Sequence, residues 1–363
     1  MNHLNFFRSL KRAFSSSNYM SSGEAITETL VSRGVKHVFS ITGSAFLPAS
    51  DCFETAGIRL VHVQHEQNAG FCLDGYTRVL PNSIAVTLNQ AGPGASNLLT
   101  SLATSYWNHS PVLALTPTVD TINDGKGVFQ ELRGQDSVFK DQVKYLGNVG
   151  RPDRITEILG KGLDRAKSEQ GPTQVNIPRD FFNSYENYSI TSPIIPRPCS
   201  GNSEDIKQAV SMIDKAKNPV ILAGAGIGWS ETGSKYLEDL SKLLNIPVAM
   251  TYLHNDVFPN SNPLNVGTLG YFGSRSAMRT VKNSDLVLAI GTRIGPFSIT
   301  KQDNIDYWDH SKNLIQIDSD RTRLGLSCYP SLPIHGDAGI VCKQLIEALG
   351  NVMPREGQQI AEK

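Results

Sequence analysis

Twice along this chain, apolar runs of about four to six residues alternate with longer stretches of helical periodicity. Strands that alternate with helices pair in parallel. Each series therefore predicts an open, doubly wound α/β sheet with helices on both faces, a three-layer domain. In the first series a helix capped near Ser22 carries Ala25, Ile26, Leu30 and Val31 and closes near Gly34. Apolar runs follow at 37–42, 60–63, 84–88, 112–115, 143–149 and 174–177, with helices expected at 68–78, 95–106 and 154–167. The second series has helices at 204–216, 232–244 and 338–349 and strands at 219–223, 247–250, 286–290 and 314–317. Between the two, residues 192–203 hold three prolines and little periodicity, as a linker does. The expected layout is a first domain at 22–185, a linker at 186–203, a second domain at 204–352 and a polar tail at 353–363. At 363 residues, two domains can each bury a core.

Composition narrows the partners. Lys+Arg and Asp+Glu balance at 34 each, which gives no electrostatic footprint for nucleic acid. No apolar run approaches the roughly 20 residues of a membrane span, so no membrane partner is expected. The five cysteines are odd in number and form no C-x-x-C pair, which suits a reducing compartment. Residues 1–21 differ from the rest: Arg8, Lys11 and Arg12, the run Ser15-Ser16-Ser17, and no acid before Glu24. With Leu4, Phe6, Phe7, Leu10 and Phe14 on one side of a helix, this is the composition of a mitochondrial transit peptide. The expected location is the mitochondrial matrix.

The residues that point to chemistry lie at strand-to-helix turns of the first series. Glu66, in His65-Glu66-Gln67-Asn68-Ala69-Gly70, follows a strand and opens a helix that runs on through Asp74-Gly75-Tyr76-Thr77-Arg78. In an open α/β sheet, ligands bind beyond the carboxyl ends of the strands. A lone Glu at that place is more often a helix-start residue favoured by the macrodipole. Glu66 is accompanied, however. Gly92-Pro93-Gly94-Ala95-Ser96-Asn97 follows the next strand, and Phe129-Gln130-Glu131 follows the loop Gly125-Lys126-Gly127.

In this order and spacing the segments resemble the pyrimidine-binding domain of thiamine-diphosphate-dependent enzymes. The pattern of that family is His-Glu, Ala-Gly, Gly-Tyr-x-Arg and Gly-Pro-Gly. The resemblance implies that Glu66 hydrogen-bonds the cofactor's aminopyrimidine ring and so promotes loss of the thiazolium proton. It also implies that Gly43, Pro93, Gly94 and Asn97 lie near the pyrimidine, and that Gln130 points to the reacting centre. The second series then resembles the Rossmann-like central domain of the same enzymes. Tyr252-Leu253-His254-Asn255-Asp256, Gly267-Thr268-Leu269-Gly270-Tyr271-Phe272-Gly273-Ser274 and Gly291-Thr292-Arg293 look more like the sulfoacetaldehyde acetyltransferase branch than like acetolactate synthase.

What the resemblance implies is acetyl transfer from sulfoacetaldehyde to phosphate, with thiamine diphosphate and Mg2+ as cofactors. An acetolactate synthase-like or 2-hydroxyacyl-CoA lyase-like enzyme is the alternative, and a non-catalytic partner of a full-length relative is another. The expected partners are a small-molecule substrate and either a second copy of the chain or such a relative. The family's diphosphate- and metal-binding motif, Gly-Asp-Gly followed by Asn-Asn, has only one near match, Gly336-Asp337-Ala338, which opens the last helix. The C-terminal diphosphate-binding domain is therefore expected to be absent, and the chain alone to be inactive. Gly224-Ala225-Gly226-Ile227-Gly228-Trp229 suggests a dinucleotide fingerprint, but Trp229 replaces its third glycine, so FAD is not expected. His254 with Asp256 reads as a loop pair rather than as metal ligands, and His109 as a turn residue. Arg293 and Arg275 are candidates for meeting a sulfonate.

Overall fold

A computed structural model describes residues 18–194 and 196–350. The chain divides into two compact units, which meet in sequence between Pro196 and Arg197. Among the described residues no helix is long and apolar enough to cross a membrane.

The first unit holds strands β1 (Tyr19–Ser21), β2 (His37–Ser40), β3 (Arg59–His62), β4 (Ala85–Leu88), β5 (Val112–Thr118), β6 (Tyr145–Asn148), β7 (Thr173–Pro178) and β8 (Tyr185–Asn187). Six of them form one sheet in the order β3-β2-β4-β5-β7-β6, and every pair in it is parallel. Successive residues of a strand face opposite sides, and the central strands are apolar on both. Val86, Leu113 and Leu115 join the core built with helices Ser22–Ser32 and Ile155–Ser168 through Ile26, Leu30, Leu159 and Leu163. Ala85, Val112 and Ala114 join the opposite core, with Leu73 of helix Glu66–Val79 and Leu102 of helix Leu99–Asn108. The expected three layers are present.

The start of this unit differs from the sequence reading. The first helix is capped by Ser21 rather than Ser22. Ser21 Oγ accepts the Glu24 N–H at 3.2 Å and the Glu24 carboxylate accepts the Ser21 N–H at 3.0 Å. Residues 19–21, grouped by composition with the leader, form β1 and pair antiparallel with β8. One expected helix, 95–106, is a short turn Pro93–Ser96 followed by Leu99–Asn108, which ends on His109 in the left-handed conformation (φ 60°).

The second unit holds β9 (Pro219–Ala223), β10 (Val248–Thr251), β11 (Asn265–Leu269), β12 (Leu286–Ile290), β13 (Asn313–Asp318) and β14 (Leu332–His335). They form a second parallel sheet in the order β11-β10-β9-β12-β13-β14. That is the Rossmann order. Ile221, Leu288 and Ile290 pack with Ile213, Leu240 and Leu345 on one face, while Val220, Val287 and Ala289 pack with Met278 and Val281 on the other. The two edge strands, β11 and β14, escape sequence reading because Gly267 and Pro333 interrupt them. Edges tolerate both residues, since one side of the backbone needs no ladder partner.

Helix Arg275–Asn283, also unread from sequence, ends on a cation. Lys312 Nζ donates to the carbonyls of Val281, Lys282 and Ser284 at 2.8, 2.6 and 2.6 Å. The Val281 carbonyl also accepts the Ser284 N–H at 3.2 Å, and the carbonyls at this end carry the negative end of the helix dipole. Lys312→Met keeps the stem and removes the charge, and should cost about 1–2 kcal/mol in urea unfolding. An unchanged midpoint would show that the cap carries no net energy.

Candidate functional site

In the first sheet the chain passes from β2 out to β3, then returns to place β4 on the other side of β2. A crevice opens at such a reversal beyond the carboxyl ends of the strands. Gly43 follows β2, Glu66 follows β3, and Gln90 and Gly92 follow β4, so the topology itself gathers them. Glu66 is the first residue of its helix, behind His65, whose Nδ1 accepts the Gln67 N–H at 3.1 Å. The carboxylate is half-buried. Asn97 Nδ2 donates to Glu66 Oε2 at 3.0 Å. The other oxygen, Oε1, faces the bare Cα of Gly94: a Cβ there would stand 3.5 Å from it.

Gln90 joins the remaining pieces and was not singled out from sequence. Its Nε2 donates to Gln130 Oε1 at 3.0 Å. Its own Oε1 is buried with no hydrogen-bond partner among the described residues. A Cβ on Gly43 would stand 2.6 Å from that oxygen, and one on Gly94 would stand 3.1 Å from Gln90 Cβ. Gly92 adopts φ 62°, and a Cβ on it would meet the Gln130 carbonyl oxygen at 2.3 Å. Gly43, Glu66, Gly94, Asn97 and Gln130 thus converge. Pro93, the first residue of its helical turn, is exposed beside them. The signal that could have found Gln90 is its place, directly after a buried strand and two residues ahead of the glycine turn. Beside this group, beyond β5, β6 and β7, lies a polar cleft of about 280 Å³ lined in part by Thr118, Glu131, Gln135, Asn148 and Asn176.

The arrangement can offer an acceptor to a ring N–H through Glu66 Oε1, while the bare faces of Gly43 and Gly94 make room for the Gln90 side chain. A buried amide oxygen left unpaired costs free energy and calls for a donor. The residues therefore fit the pyrimidine half of thiamine diphosphate. Among the described residues no group of three or more His, Cys, Asp or Glu is placed to hold a metal ion, so no residue is assigned to Mg2+.

In the second unit the reversal lies between β9 and β12. There Gly226 and Gly291 touch backbone to backbone, a Cβ on either standing 2.6 Å from the other's Cα. Of the fingerprint-like glycines after β9, Gly224 and Gly226 press against Gly291, while Gly228 faces Val257. Arg293, half-buried after β12, has its basicity lowered first by burial and then by the Arg323 charge. Arg275 is exposed and donates to Asp303 at 3.0 Å.

Asp318, at the end of β13, is buried, and burial pushes its carboxyl up to about 6 against the Asp320 N–H and the nearby arginines. The folded state thus holds this proton more tightly than the unfolded chain, where the group titrates near 3.8. The stability it contributes is complete below that value and is lost as pH rises through about 6. Between about pH 4 and pH 7 the loss should be roughly 1–3 kcal/mol, and Asp318→Asn should flatten that slope in urea unfolding. Equal slopes in the two proteins would refute it.

Fold and site together define an α/β protein with a carboxylate–amide pair at a sheet reversal, followed by a second sheet in Rossmann order. The profile described as thiamine pyrophosphate enzyme, N-terminal TPP binding domain, matches residues 20–138, and that of the thiamine pyrophosphate enzyme central domain matches 206–345. The chain belongs to the thiamine pyrophosphate enzyme family.

Among its relatives is the sulfoacetaldehyde acetyltransferase of Alcaligenes xylosoxydans xylosoxydans, 43% identical over 333 residues, 92% of this chain and 55% of the relative. That of Castellaniella defragrans is 41% identical over 322 residues, 88% of this chain and 53% of the relative. The acetolactate synthase large subunit of Buchnera aphidicola is 29% identical over 338 residues, 91% of this chain and 58% of the relative. The chain spans a little over half the length of these relatives. The expected mitochondrial location is corrected by the same comparison. The sulfoacetaldehyde acetyltransferases that the chain resembles come from bacteria, which have no such compartment. Residues 1–17, most of the segment that suggested it, lie outside the described residues.

Proposed function

We propose that this chain supplies the pyrimidine-binding side of a thiamine-diphosphate-dependent acetyltransferase that converts sulfoacetaldehyde and phosphate to acetyl phosphate and sulfite. The observation that carries the reading is the half-buried Glu66 carboxylate, held on one oxygen by Asn97 and offering the other at the sheet reversal. When bound, the cofactor supplies the nucleophilic carbon and the electron sink that this chemistry needs. Glu66 accepts the ring's proton-bearing nitrogen, Asn97 fixes the carboxylate, and Gln90 and Gln130 orient the polar edge of the site. Mg2+ and either a second copy of the chain or a fuller relative belong to the same proposal.

The substrate is supported by the relatives. Sulfoacetaldehyde acetyltransferases reach 38–43% identity, whereas acetolactate synthase large subunits reach 29–32%. Those lower matches favour acetolactate formation from pyruvate as the second reading. The chain paired with a fuller relative and given thiamine diphosphate, Mg2+, phosphate and sulfoacetaldehyde should release sulfite and acetyl phosphate in equal amounts, whereas the chain alone should release none. Release of carbon dioxide from pyruvate with no sulfite from sulfoacetaldehyde would replace the first reading by the second.

A further inference from the structure

The loop that delivers Gln130 to the site is organised around one carboxylate. Glu131 accepts the backbone N–H groups of Gly125, Gly127 and Val128 at 2.8, 2.6 and 3.0 Å. Successive N–H groups turned toward one point form an anion nest, and here the anion is a side chain of the same loop. Burial alone would raise this carboxyl. The three N–H groups and the charge of Arg133 outweigh it and hold the group below its usual range. The root of the loop is clamped as well: Asp180 accepts the Thr121 N–H at 3.1 Å and the Thr121 hydroxyl at 2.6 Å.

Between these two clamps sits Gln130, with φ at 64° and its carbonyl against Gly92. A non-glycine residue in that region is disfavoured and persists only where the surroundings fix it. Hydrogen bonds to a charged acceptor are strong enough to do so.

We propose that Glu131 is a positioning residue, whose carboxylate closes residues 125–131 into a ring and thereby holds Gln130 against Gln90 at the candidate site. The proposal rests on the assignment of that site to the thiamine-diphosphate reaction. Its central test does not.

Hydrogen exchange read by mass spectrometry on peptides covering 121–134 should rise about tenfold or more in Glu131→Gln, which keeps the shape but lacks the charge. Peptides from β4, β5 and β7 should be unchanged. Glu131→Asp, which keeps the charge on a shorter stem, should recover part of the protection. In the wild type the protection should persist above the usual carboxylate range and fade as pH falls below it, whereas Glu131→Gln should show no such step. In the sulfite-release assay Glu131→Gln should lower kcat/KM for the aldehyde while half-saturation by thiamine diphosphate stays put. Unchanged exchange at 121–134, or exchange rising through the whole unit, overturns the positioning role. Absence of sulfite release from the wild type paired with a fuller relative overturns the reaction assignment, and with it the part that Glu131 plays in catalysis, while leaving the ring closure to stand or fall on exchange.

Discussion

Glu66→Gln is expected to fold normally and to lose turnover by roughly two to four orders of magnitude, the range for removing a positioned proton-handling group. The substitution keeps the length and shape of the side chain, and its amide oxygen can still accept from Asn97. What changes is the other terminal atom. Where Glu66 Oε1 offers a lone pair toward the Gly94 face, the amide offers two hydrogens. It can no longer accept a ring N–H, and it sets a donor against a donor. Turnover is read as sulfite release by the chain paired with a fuller relative at saturating thiamine diphosphate, and folding as the melting midpoint by circular dichroism. Activity close to that of the wild type would remove Glu66 from the proton chemistry. A large drop in the midpoint would make it a helix-start residue after all.

The largest loss of stability is expected at Gly291. Its φ of 63° suits glycine, and a Cβ there would stand 2.6 Å from Gly226 Cα and 2.8 Å from Gly226 C. Those neighbours are backbone atoms and cannot swing aside. Gly291→Ala therefore combines dihedral strain with overpacking, each about 1–3 kcal/mol, less the roughly 0.4–1 kcal/mol gained by restricting the unfolded chain. The net should be about 1–5 kcal/mol in urea unfolding. Gly226→Ala meets the same contact from the other side without a left-handed φ, so it should cost less, and the difference isolates the dihedral share. Equal losses in the two variants would show that packing alone decides.

The sheets were legible because central parallel strands are apolar on both faces and leave short, unbroken runs. Of the twelve strands in the two sheets, β11 and β14 were not read, because their glycine and proline are tolerated at edges and read as loop elsewhere. Within the candidate site, Glu66 and the glycine turn were legible as a motif at strand ends. The contact that unites Glu66 with Asn97 was not, since the residues are 31 apart and meet only when the crossover from β3 to β4 folds back. Gln90 carried no pattern of its own. Glu131 was visible in sequence only as a neighbour of Gln130, because its function depends on where three backbone N–H groups point, and side-chain chemistry does not encode that direction. The leader reading misplaced residues 19–21 because composition weighs them with what precedes them, whereas the ladder with β8 depends on what lies some 165 residues on.

That ladder has a consequence for how the first unit can be handled. Ser22 N–H meets the Ser184 carbonyl at 2.9 Å and Tyr188 N–H meets that of Asn18 at 3.0 Å, so the chain enters and leaves at one seam. A body whose two ends are stitched together behaves as a detachable cassette. It can be spliced between other segments without straining them, and a short peptide joining 18 to 188 should give a circular or permuted form that keeps the sheet and its reversal point. Domains wired in this way can be shuffled among chains as closed pieces.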